Sequence, residues 1–100
     1  MPATLIALYL ITAALCGLLI LDWRQTLTIA RHPERWSEVN IILGRHPSVR
    51  AVHLYFSAVM AATVTLALLP LIPEVARLVV FSLFAGLEGF VTWQNKRHGL

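Results

Sequence analysis

The stretch that decides the fold is ATLIALYLITAALCGLLIL, residues 3–21, which contains no charged side chain. At about 1.5 Å of helical rise per residue it covers about 28 Å, close to the hydrocarbon thickness of a bilayer. Two further apolar segments follow, at 51–72 and 75–93. A lipid-exposed open sheet would leave backbone groups unpaired, so helices are favoured. The sequence therefore predicts an all-α integral membrane protein, a single membrane domain over residues 1–100 with three transmembrane helices.

The composition supports this class. Hydrophobic residues make up 58% of the chain and charged residues only 13%, whereas a soluble domain carries about 25% charged residues. This composition excludes a disordered chain, and the length of 100 residues excludes a multi-domain enzyme. A single cysteine, Cys16, excludes a disulfide scaffold. The net charge is +3, and the positive side chains lie between or beside the apolar segments. This placement is explained by the orientation of the chain in a membrane and gives no reason to expect nucleic acid as a partner.

The segment 22–50 is the one extensive stretch outside the predicted spans. Residues 22–31 are expected to continue the first helix beyond the bilayer, and the proline at position 33 should end it. We expect a short interfacial amphipathic helix over 33–43, closed by Gly44. Its apolar face would hold Trp36, Val39 and Leu43.

Pro70 and Pro73 bracket a short turn, which predicts that the second and third helices form a tight antiparallel hairpin. Pairs of small residues four apart on each span favour close packing of helices in lipid. These pairs are Ala13 and Gly17, Ala58 and Ala62, Ser82 and Gly86, and Ala85 and Gly89.

Basic residues set the predicted orientation. Of the eight Lys and Arg residues, seven lie in the segment 22–50 or after residue 93, and only Arg77 lies on the other side. The positive-inside rule then predicts a cytoplasmic C-terminus, a cytoplasmic loop over 22–50 and a periplasmic N-terminus. The expected location is the bacterial inner membrane, in which the protein would be multi-pass. The N-terminal segment has no basic n-region and is expected to be retained as a helix.

Polar side chains converge on the predicted cytoplasmic third of all three helices. Glu88 is the most informative, because a carboxyl group inside a span is costly and often marks a site or a partnered group. One interpretation is a site that binds a metal ion or polar ligand or relays protons; the other is a hydrogen-bonded cluster that fixes helix register. No nucleophile with a neighbouring base and no cofactor motif is present, so no catalytic residue or cofactor is predicted, and the metal stays unspecified. The candidate residues are Glu88, Asp22, His53, Gln25, Thr26, Glu38, Asn40, Thr92 and Asn95.

Four short motifs carry a resemblance: DWRQT at 22–26, ARHP at 30–33, EVN at 38–40 and LGRHPS at 43–48. Together they resemble small three-span membrane proteins of phages and prophages of Gram-negative bacteria, a family with no assigned function. The overall plan is also similar to that of three-span holins, which oligomerise and form lesions in the inner membrane. The resemblance implies a phage or bacterial inner-membrane setting.

Three functional hypotheses follow. The first is a phage-type inner-membrane protein that acts by oligomerisation or by binding another membrane protein, with holin-like permeabilisation as one version. The second is a small membrane enzyme or ion-binding protein built on the polar cluster. The third is an assembly subunit of a larger membrane complex. The bilayer is the expected surrounding in each case.

Overall fold

The computed structural model describes residues 1–38 and 40–100, which form three long helices. They are α1 (Ala3–Arg31), α2 (Val49–Leu68) and α3 (Glu74–Arg97). Within the described ranges there is no strand, and each helix is long and apolar enough to cross a membrane. The predicted all-α class with three membrane-length helices is therefore confirmed.

Helix α1 is the longest element and extends well beyond its charge-free segment. Its 29 residues correspond to about 43 Å, more than the hydrocarbon core of about 30 Å. It ends at Arg31, and the backbone N–H of His32 donates to the carbonyl oxygens of Thr28 and Ile29. The predicted continuation of this helix through residues 22–31 is confirmed, as is its termination before Pro33.

The turn between α2 and α3 shortens the predicted second span. That span was expected to reach residue 72, but α2 ends at Leu68 because Leu69, the residue before Pro70, has extended backbone angles of φ −99° and ψ 136°. Helix α3 begins at Glu74 directly after Pro73, where an acidic side chain meets the positive end of the helix dipole.

Helix α1 is the central element of the bundle. It packs against both α3 and α2, whereas α2 and α3 make few contacts with each other, so the predicted tight α2–α3 hairpin is wrong. The two neighbours pack on α1 because its buried residues recur every three or four positions and so form one continuous stripe along the helix. Its members are Leu8, Leu15, Leu19, Asp22, Gln25, Thr26 and Ile29.

The predicted amphipathic helix over 33–43 is not present in the described residues. Residues 33–35 and 41–43 form turns, and 36–38 and 40 have no regular secondary structure; Val39 lies outside the described residues. The backbone N–H of Glu38 donates to the Arg45 carbonyl at 2.7 Å, so this segment is paired across the loop rather than along a helix. Gly44 has a φ of +80°, a left-handed conformation that suits glycine in a turn.

Most of the small-residue pairs face away from the bundle. Gly17 on α1 and Gly86 on α3 are exposed, and their partners four residues away are exposed as well. Ala85 is buried and Gly89 lies close to Leu18 of α1, so that pair does pack inside the protein. The pairs exposed on the outer surface are Ala13 and Gly17, Ala58 and Ala62, and Ser82 and Gly86.

Candidate functional site

A cavity of about 350 Å³ opens between the helices at the end of the bundle where α1 ends and α2 begins. We call this end the basic end, because seven of the eight Lys and Arg residues lie in the segment 22–50 or after residue 93. We call the cavity the acidic pocket. Residues of all three helices and of the loop line it. Its polar lining consists of Asp22, Thr26, Glu38, Asn40 and Glu88. Its apolar walls include Tyr55, Phe56, Phe84 and Leu87.

Two helix carboxyl groups meet at the buried side of the acidic pocket. Asp22 of α1 and Glu88 of α3 are each 8% exposed, and both line this cavity, where Asp22 lies close enough to act on Glu88 electrostatically. The hydroxyl of Thr26, one turn along α1, donates to Asp22 Oδ1 at 3.0 Å. The Oε2 atom of Glu88 has no hydrogen-bond donor among the residues that the structure describes. The pocket therefore presents a buried acceptor to whatever occupies it.

The loop supplies a third acidic side chain to the acidic pocket. Glu38 is buried and lies close enough to act on Glu88 electrostatically. Its Oε1 accepts a hydrogen bond from the backbone N–H of Asn40 at 3.1 Å, and Asn40 Oδ1 accepts from the N–H of Ile42 at 2.9 Å. These bonds fix the local backbone of the loop. Glu38 and Asn40, two of the residues singled out in the sequence, line the same cavity as Glu88.

Three other candidate residues form a separate bridge between α1 and α3. Gln25 Nε2 donates to the Thr92 carbonyl at 3.0 Å, and Asn95 Nδ2 donates to Gln25 Oε1 at 3.1 Å. The hydroxyl of Thr92 donates back along α3 to the carbonyl of Glu88 at 2.8 Å. This interhelical bridge fixes the register of α1 against α3 next to the acidic pocket, which is the structural role considered for the polar cluster.

His53 lies apart from the other candidates. It is exposed and accepts a hydrogen bond from Trp23 Nε1 at its Nδ1, at 3.1 Å. The indole ring of Trp23 stacks on Phe56 with ring centroids 5.8 Å apart. The imidazole therefore does not join the carboxyl groups, and the sequence could not reveal this because the rotation of α2 about its axis is set by its packing on α1.

The geometry favours some chemistries over others. Among the described residues, no group of three His, Cys, Asp or Glu side chains is placed to hold a metal ion. No Lys, Arg or His side chain appears among the described residues that line the acidic pocket. Paired carboxyl groups without a basic neighbour can hold a shared proton or attract a cation.

Sequence reasoning missed the aromatic walls of the site and, at the other end of the bundle, a buried arginine. The aromatic walls of the acidic pocket, Tyr55, Phe56 and Phe84, read in the sequence as ordinary apolar positions of a span. Arg77 is buried and its Nη1 donates to the carbonyl oxygens of Leu66 and Ala67, both at 3.0 Å. The contact of Arg77 with α2 could have been predicted from the sequence, because the connection between α2 and α3 is short and a long side chain in the first helical turn of α3 can reach the end of α2.

Comparison with protein-family models, with curated proteins and with solved structures found no match to this chain.

Proposed function

We propose that the protein is a multi-pass protein of a bacterial inner membrane, in a phage or prophage setting, that acts by self-association of its helices in the bilayer. The observation that carries the proposal is the outward placement of small-residue pairs on all three helices. Helices in lipid associate where small residues let their backbones approach closely.

Gly17 and Gly86 are the positions at which the proposed helix association can best be tested. A Cβ atom added at Gly17 or at Gly86 would meet nothing within 4 Å. The fold of the single chain therefore does not require glycine at either position. Contact with a second chain would require it, because a side chain there would hold the two helix backbones apart.

The charge distribution supports the proposed orientation. Seven of the eight basic residues lie at or beyond the basic end of the bundle, which is proposed to be cytoplasmic under the positive-inside rule. Trp93 is exposed there, and the Arg97 guanidinium lies 4.8 Å from the centroid of its ring. A tryptophan with a neighbouring arginine at a helix end is typical of a membrane–water interface.

The experiment compares Gly17→Ile and Gly86→Ile with Leu83→Ile, a control on the outer face of α3. Leu83 is 71% exposed, so the control alters the lipid-facing surface without changing a small residue. Energy transfer between two labelled populations of the chain in liposomes reports association. We expect the wild type and the control to associate and the glycine variants to associate less. Energy transfer no higher than background in the wild type would refute self-association, and equal energy transfer in all four proteins would refute association through Gly17 and Gly86.

The holin-like version of the proposal has its own test. Expression in bacteria with a membrane-potential dye would show depolarisation if the oligomer forms a lesion. We expect Gly17→Ile to reduce depolarisation together with association. A potential that stays intact at high expression would exclude permeabilisation. Association only with a different membrane protein would replace the self-association version with the heteromeric one.

A further inference from the structure

We propose that the acidic pocket binds an organic ammonium ion that carries an apolar or aromatic body. The proposal rests on a cavity, on a buried carboxyl group with an unused acceptor atom and on aromatic walls around it. Such binding does not require the helix association proposed above, because the pocket is formed within a single chain.

The size of the acidic pocket favours a molecule over a bare ion. Its volume of about 350 Å³ lies within the range of about 300–1,000 Å³ that is usual for small-molecule sites. The cavity is partly open to the surface, and Leu87 at its rim is 59% exposed. A ligand can therefore reach the buried carboxyl groups from the outside of the bundle.

The charge of the site selects a cation that donates hydrogen bonds. Glu88 is buried, and its Oε2 has no donor among the described residues. Asp22 lines the same cavity, and no basic side chain appears in the described lining. A buried acceptor left without a donor is destabilising, because it has lost its hydrogen bonds to water. The N–H groups of an ammonium ion would satisfy it and would also offset two neighbouring carboxyl groups.

The walls of the acidic pocket select an apolar body. Tyr55, Phe56 and Phe84 line the cavity beside the carboxyl groups. Aromatic faces attract organic cations as well as apolar groups. A metal ion would instead need several oxygen, nitrogen or sulfur ligands at short distances, and the described residues offer no group of three acidic, His or Cys side chains in such an arrangement.

The binding experiment uses the full chain in lipid nanodiscs and 4-phenylbutylammonium as the probe. Its neutral counterpart is 4-phenylbutanol, which has the same body and no charge. Equilibrium dialysis, with binding to empty nanodiscs subtracted, gives the dissociation constant for each. We expect saturable binding of the ammonium compound near one per chain, and binding of the alcohol weaker by at least about tenfold, the ratio for one charge-assisted hydrogen bond.

Two pairs of variants locate the binding. Glu88→Gln should weaken ammonium binding by about tenfold or more, whereas Glu74→Gln, which removes a carboxyl group at the other end of α3, should leave it unchanged. Leu87→Trp should block the cavity while keeping both carboxyl groups, and Leu83→Trp on the same helix should not. If Glu88→Gln does not fold, the Leu87→Trp and Leu83→Trp variants still test whether the ligand binds in the acidic pocket, because Leu87 is exposed and tolerates a larger side chain.

Three results would overturn the proposal. The first is equal binding of the ammonium compound and the alcohol. The second is ammonium binding that neither Glu88→Gln nor Leu87→Trp changes. The third is displacement of the ammonium compound by Na⁺ or Mg²⁺ at equal concentration, which would make the acidic pocket a site for inorganic cations.

Discussion

Replacement of Gln25 by leucine tests whether the bridge between α1 and α3 stabilises the bundle. The Gln25 side chain is 3% exposed and makes two interhelical hydrogen bonds, one to the Thr92 carbonyl and one from Asn95 Nδ2. Leucine has a similar volume, so Gln25→Leu removes the hydrogen bonds with little change in packing. The variant therefore separates the polar contribution from the apolar one.

The expected loss of stability follows from the number of interhelical hydrogen bonds that are removed. Interhelical hydrogen bonds in membrane proteins contribute on average about 0.6 kcal/mol each and at most about 1.7 kcal/mol. Two of them give about 1.2 kcal/mol, with an upper bound of about 3.4 kcal/mol. Asn95 is only half-buried, so water can replace its lost acceptor. We expect a decrease in the free energy of unfolding of about 1–2 kcal/mol, a factor of about 5–30 in the folded-to-unfolded ratio.

The assay is reversible unfolding in mixed micelles with tryptophan fluorescence as the readout, since Trp23 and Trp93 report on the helix ends beside the bridge. A double-mutant cycle with Asn95→Ala measures the coupling of one bond. Thr28→Val is the matched control, because the Thr28 hydroxyl donates within α1, to the Arg24 carbonyl, and makes no interhelical hydrogen bond among the described residues. We expect that control to change the free energy of unfolding by no more than about 0.5 kcal/mol.

A stability of Gln25→Leu equal to or above that of the wild type would refute the reasoning. It would mean that apolar burial at this position outweighs the two hydrogen bonds. A coupling energy near zero between Gln25 and Asn95 would show that their bond contributes nothing even if Gln25→Leu is less stable. In that case the loss would come from the bond to the Thr92 carbonyl.

Three further predictions concern the ends of the helices. Arg77→Met removes the guanidinium that donates to carbonyl groups in the last turn of α2. It should lower the free energy of unfolding by about 1.5–3 kcal/mol in the same micelle assay. An unchanged free energy of unfolding would show that those carbonyl groups do not need this donor. Ser48→Ala removes the acceptor for the Ala51 N–H and should cost about 1 kcal/mol, with Ser48→Asp as the control that retains an acceptor and the stability. A reporter fused after Leu100 should be active only in its cytoplasmic form, and a periplasmic signal would contradict the proposed orientation.

The sequence was sufficient for the helices and for most of their boundaries. Membrane-length apolar runs leave few alternatives, because backbone groups in lipid must be paired within the chain. Proline positions fixed the end of α1 and the start of α3. The predicted end of the second span, residue 72, is wrong, because the chain is already extended at Leu69, the residue before Pro70.

The candidate site was only partly predictable. Glu88, Asp22 and Thr26 could be grouped from helix periodicity and depth, and the structure brings them together with Glu38 and Asn40 in one pocket. Depth along the helix also groups His53 with them, yet His53 lies outside the pocket, beside Trp23. Depth along a helix follows from counting residues, whereas the direction in which a side chain points depends on how the helix is rotated against its neighbours.

The sequence by itself determined that the chain makes three membrane-length helices, because length and apolar composition decide that locally. Only the tertiary structure decided that α1 is the shared partner of α2 and α3 and that α2 and α3 make few contacts with each other. The acidic pocket exists because of that arrangement: its walls come from α2 and α3, and its Asp22 carboxyl group comes from α1. Its chemistry therefore depends on residues that are far apart in the chain and that packing alone brings together.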